Sequence, residues 1–399
     1  MFRSTVRSRH ASGRGSFSYP RGISRGRRQP KPIDVRAFIN KAVDLPPVEV
    51  IAITHRFTDF NIDSRVLTNI SQKGYLTPMP IQDQGIEPIM QGNDFLGIAN
   101  TGTGKTGAFL IPLINKVLHD KNQKVLIMVP TRELAIQINQ EFQGLASMLS
   151  LWSVMAIGGT SMYQQRRNLE SNHQFLISTP GRLKDLVNQR LVNLAQYSTV
   201  VLDEVDRMLD VGFIKDVREI LSQLAPHRQS LFFSATMTNQ VMSLIHEFSH
   251  NLVTISVKQH ESADTIEQDI VTFSGPEDKI DKLHQLLISK EVEKALIFGR
   301  TKHGVQRLSE NLNNRGFRSD SIHGNKSQPQ RQRALLNFRQ SGIKVLVATD
   351  VAARGLDIPD VSHVINFDVP ESKDDYIHRI GRTGRANKKG KALTFVSNF

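Results

Sequence analysis

The feature that narrows the fold most is an alternation. From about Phe57 onward, short apolar runs take turns with stretches whose apolar residues recur at helical spacing. Phe95–Ala99, Val125–Val129, Val154–Ile157, Phe175–Ser178, Val200–Leu202 and Leu231–Phe233 form one series. Ile270–Phe273, Ala295–Phe298, Val345–Ala348, Val364–Asn366 and Leu393–Val396 form a second. Strands that are apolar on both faces and separated by helices belong in parallel sheets covered on each side. The polar stretch Lys258–Gln268 divides the two series. The expectation is an α/β protein with two tandem parallel-sheet domains, 55–257 and 269–399, joined by a linker at 258–268 and preceded by a disordered basic tail at 1–54.

Composition sharpens this. The chain has 399 residues, 39% of them hydrophobic, enough for two cores. No apolar run reaches the roughly 20 residues of a membrane span, so no membrane role is expected. Cysteine is absent, which removes disulfides and thiolate metal sites and fits a reducing compartment. A cytoplasmic location follows as the expectation. The net charge of +13 is not spread evenly: residues 1–33 hold eight Arg, one Lys and no acid, so they carry nine of the thirteen excess charges. Rich in Gly, Ser and Arg, that tail cannot bury enough surface to fold. It reads as an RNA-binding arm, with a mitochondrial transit peptide and a solubilising tail as alternatives.

Polar clusters follow the strands of the first series: "NTGTGKT", "PTRELA", "GGT", "TPGRL", "DEVD" and "SAT". In open α/β sheets, ligands bind beyond the carboxyl ends of the strands, so these clusters should line one rim. "FLGIANTGTGKT" is a strand, a loop of Ala99, Thr101, Gly102, Thr103 and Gly104, and a helix start at Lys105-Thr106. Such a loop wraps phosphate oxygens with backbone N–H groups, with the Lys105 ammonium on the phosphates and the Thr106 hydroxyl on Mg²⁺. Across the rim, Asp203 would hold Mg²⁺, partly through water, and Glu204 would orient and deprotonate an attacking water. Asp206 is better placed to bond the Ser234-Ala235-Thr236 loop. The cofactors expected from these groups are a nucleoside triphosphate, which the resemblance described next makes ATP, and Mg²⁺. "HEFSH", His246–His250, fits a zinc-protease pattern, but its second histidine falls at a helix end and no third ligand motif follows.

The ordered series of motifs resembles the DEAD-box ATP-dependent RNA helicase family of superfamily 2, over roughly Phe57 to Val396, with "DEVD" standing where the family's usual motif has Ala in place of Val205. "GYLTPMPIQ" is similar to the adenine-reading Q motif. In the second half "LIFGRTK", "HGNKSQPQR", "VLVATDVAARGLD" and "YIHRIGRTGR" continue the series. The resemblance implies RecA-like domains with the nucleotide in the cleft between them. It implies that Tyr75 stacks on adenine and Gln82 bonds its edge, with Phe57 in support. Gly355 and Asp357 would lie at the ribose, Arg382 and Arg385 would reach the γ phosphate as arginine fingers, and His378 would couple the domains. RNA backbone would be met by Pro130, Thr131, Arg132, Gly158, Gly159, Thr179, Pro180, Gly181, Arg182, Gln328, Arg331 and Thr349. Two departures accompany Val205: Ala99 replaces the loop's usual first glycine, and the chain stops at Phe399 where relatives usually add a helix.

The leading expectation is an RNA-dependent ATPase that unwinds short RNA duplexes and remodels RNA–protein complexes, acting as a monomer, with ribonucleoprotein or degradation-complex proteins as further partners. A DNA translocase and an ATP-gated RNA clamp are the alternatives.

Overall fold

The computed structural model describes residues 38–40, 52–100, 102–257, 266–353, 358, 361–384 and 390–398. The first domain contains β1 (Asp94–Ile98), β2 (Val125–Met128), β3 (Ser153–Ala156), β4 (Phe175–Ser178), β5 (Thr199–Asp203), β6 (Gln229–Ser234) and β7 (Leu252–Ser256). They pair in the order β3-β4-β2-β5-β6-β1-β7, and every pairing is parallel. The second domain contains β8 (Ile266–Phe273), β9 (Ala295–Phe298), β10 (Ser319–Ile322), β11 (Val345–Ala348), β12 (His363–Asn366) and β13 (Gly390–Ser397). Its order is β10-β11-β9-β12-β13-β8, again parallel throughout.

The cores follow from side-chain alternation along the strands. Val125 and Ile127 of β2 join one apolar cluster, while Leu126 and Met128 join another. On β9, Ala295 and Ile297 face one layer and Leu296 and Phe298 the other. Helices cover both faces in each case, so backbone loops gather at the strand ends, where the polar clusters lie. Among the described residues, no helix is long and apolar enough to cross a membrane.

Two strands and two boundaries differ from the sequence expectation. β7 and β10 had no counterpart in it; both are edge strands, and "SDSI" of β10 has little apolar signal. β8 begins at Ile266, so the linker drawn to Gln268 is too long, and residues 258–265 lie outside the described residues. The tail drawn to residue 54 is also too long. Phe38 is buried against Ile266, Tyr376, Ile380 and Ala392 of the second domain. Its ring meets Tyr376 edge-on at 4.8 Å, and Asn40 exchanges both backbone hydrogen bonds with Gln268. An aromatic side chain in an apolar niche and a strand edge with free N–H and C=O groups give that short segment a defined place.

Candidate active site

Strand order sorts the rim of the first domain into two halves. The phosphate loop follows β1, Asp203 and Glu204 close β5, and Ser234 closes β6; these three strands are neighbours. Thr131-Arg132, Gly158-Gly159 and Thr179-Pro180 follow β2, β3 and β4, which are neighbours on the other side. The topology thus separates the residues expected at the nucleotide from those expected at RNA.

The phosphate loop needs its glycines. Gly102 and Gly104 have φ of +85° and +87°, a region that side chains with a Cβ seldom enter. The helix Lys105–His119 starts directly from this turn, and Lys105 Nζ donates to Ala99 O at 3.0 Å. Thr101 lies outside the described residues. Gln82 ties the adjacent helix to the loop: Nε2 donates to Gly104 O at 3.0 Å and Oε1 accepts from Met79 N–H at 2.9 Å. This leaves the buried carboxamide one N–H and one lone pair. Tyr75 lies near-parallel to Phe57, with centroids 6.4 Å apart, and its hydroxyl donates to Glu141 at 2.6 Å. Burial first, and then the Glu141 carboxylate, push that hydroxyl well above the usual phenol range.

The acids do three different things. Asp203 is buried, and its Oδ1 has no hydrogen-bond partner. Burial pushes its pKa up to about 6, Lys105 opposes the rise and the Glu204 charge adds to it. Glu204 sits at φ +57°, ψ +53°, left-handed backbone for a residue with a Cβ, just before the helix Val205–Asp210. Its Oε2 accepts from Arg207 Nη1 at 2.6 Å, and both side chains are buried. Asp206 turns to the next loop, where its Oδ2 accepts from Ala235 N–H, Thr236 N–H and Thr236 Oγ1 at 2.8 to 3.1 Å. Ser234 Oγ donates to Thr236 O and stiffens that loop.

In the second domain, the helix Lys373–Ile380 carries the residue expected to couple the domains, His378. Burial lowers the His378 pKa, and the charges it feels include Arg207, Asp206 and Asp210 of the first domain together with Arg382. Its Nδ1 is buried without a partner. Arg382 is buried as well, with Nε donating to His378 O at 3.3 Å. In "HRIGRTGR" the intervals of three between Arg379, Arg382 and Arg385 suggest one shared helical face for an anion, but Arg379 has another job. It forms a two-pronged pair with Asp350 and donates to Asp368 O and Asn366 Oδ1. Arg385, Gly355 and Asp357 lie outside the described residues.

On the other half of the rim, the Arg132 guanidinium lies along the Gly158-Gly159 backbone, where a Cβ on Gly158 would stand 3.0 Å from Nη2. Thr131 caps the helix Arg132–Leu145 by accepting from Leu134 N–H, and Pro180 and Gly181 open the helix after Thr179. Arg182 has a buried, unpartnered Nη1. Thr349 follows β11 and donates its N–H to Ile322 O. Gln328 and Arg331 are engaged across the domains: Gln328 Nε2 donates to Glu133 Oε1 at 3.0 Å, and Arg331 Nη2 pairs with Glu133 Oε2 at 2.9 Å. Glu133 and Arg207 are the residues that sequence reasoning missed. The signal for Arg207 was a base three positions after an acid on one helix face; nothing local marks Glu133. His246 lies on the helix Asn239–Phe248, but that helix ends before His250, so the two histidines do not share a face.

Comparison with known proteins agrees with this arrangement. Residues 79–244 match the DEAD/DEAH box helicase family model, and residues 278–387 match the helicase conserved C-terminal domain. The chain is 43% identical over 343 residues to the ATP-dependent RNA helicase CshA of Listeria monocytogenes, covering 86% of this chain and 66% of that protein. It is 42% identical over 346 residues to the DEAD-box ATP-dependent RNA helicase CshA of Bacillus subtilis, covering 86% of this chain and 70% of that one. It thus spans about two thirds of these relatives' length. Among solved structures, S. cerevisiae Dbp5 bound to RNA and ADP BeF3 has a TM-score of 0.76 at 29% identity, covering 87% of this chain and 90% of Dbp5. Mss116p bound to ssRNA and AMP-PNP has a TM-score of 0.75 at 29% identity, covering 86% and 74%. With both family models matched in order and the relatives aligned along most of its length, the chain belongs to the DEAD-box ATP-dependent RNA helicase family.

Proposed function

We propose that this chain is an RNA-stimulated ATPase that opens or remodels short RNA duplexes. The observation that carries the reading is the division of the machinery between two joined domains: the phosphate loop and acids belong to the first, the expected arginine and histidine to the second, and Gln328 and Arg331 of the second bind Glu133 of the first. Seating ATP would favour that meeting, and hydrolysis would release it. RNA laid along Arg132, Gly158-Gly159 and Thr179-Pro180 would favour the same seating, since Glu133 among them pairs with Gln328 and Arg331. Contacts of this kind meet phosphate and sugar and leave the bases unread.

The residues present fit a magnesium ion. Asp203 offers a buried carboxylate oxygen without a partner, and Thr106 stands at the start of the phosphate-loop helix. A cation that keeps most of its waters needs few protein ligands. When bound, Mg²⁺ would neutralise charge on the β and γ phosphates. Lys105 orients the same phosphates, and Glu204 orients and deprotonates the attacking water.

The test is ATP turnover with RNA, with DNA and with neither. RNA alone should stimulate, and Glu204→Gln should cut the stimulated rate about 10²- to 10⁴-fold while RNA binding with a non-hydrolysable analogue survives. Equal stimulation by DNA, or a Glu204→Gln rate within twofold of wild type, would overturn the proposal.

A further inference from the structure

Glu204 carries the base role in the reading above, yet a carboxylate on a left-handed residue needs something to fix its direction. Arg207 is the one charged partner that Glu204 has among the described residues. Their bond joins Arg207 Nη1 to Oε2 at 2.6 Å, and Oε1 has no hydrogen-bond partner among those residues. Position i+3 on the helix Val205–Asp210 sets the guanidinium beside the turn that Glu204 opens. A guanidinium is suited to this because its planar fork fixes direction as well as charge. The Arg207 charge also acts on Asp203 and on His378 of the second domain.

We propose that Arg207 is a positioning residue for hydrolysis: it pins Oε2 of Glu204 so that Oε1 is left to the attacking water. The inference rests on Glu204 being the base, which Glu204→Gln tests by itself. A carboxylate free to rotate would spend most of its time misdirected, and small misplacements of a reacting group cost rate far more than affinity.

The experiment uses the full chain at saturating RNA, with Arg207→Met, Arg207→Lys and each combined with Glu204→Gln. Arg207→Met should lower kcat by about 10- to 100-fold. The KM for ATP should stay within about twofold, because no bound-state contact to nucleotide is removed. Arg207→Lys should recover most of the rate. On the Glu204→Gln background, where no base remains to be aimed, adding Arg207→Met should change the residual rate by less than about threefold. A wild-type kcat in Arg207→Met, or a full multiplicative loss on the Glu204→Gln background, would overturn the proposal. So would a rise in RNA-free turnover, which would make Arg207 a restraint on hydrolysis. If thermal melting shows that Arg207→Met does not fold, Arg207→Lys decides the matter. A lowered kcat at constant KM that vanishes on the Glu204→Gln background supports the proposal, and an unchanged or additive rate defeats it.

Discussion

Each domain holds a buried charge cluster among its motif residues, and the two are built on opposite principles. Arg379 of the second domain is saturated: Asp350, Asp368 and Asn366 take its donors, and its guanidinium lies 5.1 Å from the centre of the Phe298 ring. Asp203 of the first domain is left short, with one oxygen buried and unpartnered and its pKa raised by burial. A buried charge with every partner in place holds structure together. One that lacks a partner costs stability and is kept for what arrives there. Both sit among motif residues of similar polarity, so residue type alone does not tell them apart.

Removing a partner from the saturated cluster should have the largest effect. Arg379→Met leaves the partly exposed Asp350 without its guanidinium and Asn366 Oδ1 and Asp368 O without a donor, which together should destabilise the second domain by about 3–5 kcal/mol. Urea unfolding of the full chain should show this as a second-domain transition moved to lower denaturant. An unchanged midpoint would mean that the pairing is worth little and that Arg379 is kept for an anion, as its spacing first suggested.

Phe38→Ala comes next. The ring is fully buried against Tyr376 and Ile380, so its loss should cost about 3 kcal/mol in the same transition. Since Tyr376 shares the helix of His378, turnover should fall with stability as the temperature rises. Removing residues 1–33 leaves Phe38 in place and should not move that transition at all. The expected change lies in RNA affinity: nine basic charges, a third to a half of them engaged, predict a salt slope shallower by about 2 to 3. Turnover at saturating RNA should stay within about threefold. An unmoved slope would leave targeting or solubility as the tail's role.

These contrasts mark what was readable in advance. β1, β2, β4, β5 and β6 lie inside the first sheet and are apolar on both faces, so their runs stood out. β7 and β10 lie at sheet edges; β7 is partly exposed along its whole length, and β10, though largely buried, is mostly polar. The phosphate loop and acids were legible because they are local motifs. The bond between Glu133 and Gln328 was not, because 195 residues separate them and nothing local pairs one with the other. Phe38 was hidden for the same reason. A lone aromatic near a basic, glycine-rich stretch gives no periodicity, and its niche is built from residues far along the chain.

The most direct test of the contrast is thermal stability against pH for wild type and Asp203→Asn, with and without a non-hydrolysable ATP analogue and magnesium. Because the native pKa of Asp203 is raised from 3.8 to about 6, the native state holds its proton more tightly than the unfolded chain. This group's contribution therefore falls as pH rises from about 4 to about 6, and the deficit stays in place above that. Asp203→Asn should accordingly melt a few degrees higher than wild type above about pH 6, match it near pH 4, and gain less than wild type from magnesium and nucleotide. A variant that melts lower than wild type at neutral pH, with the same gain from magnesium nucleotide, would show that Asp203 is a satisfied structural charge and would contradict the account.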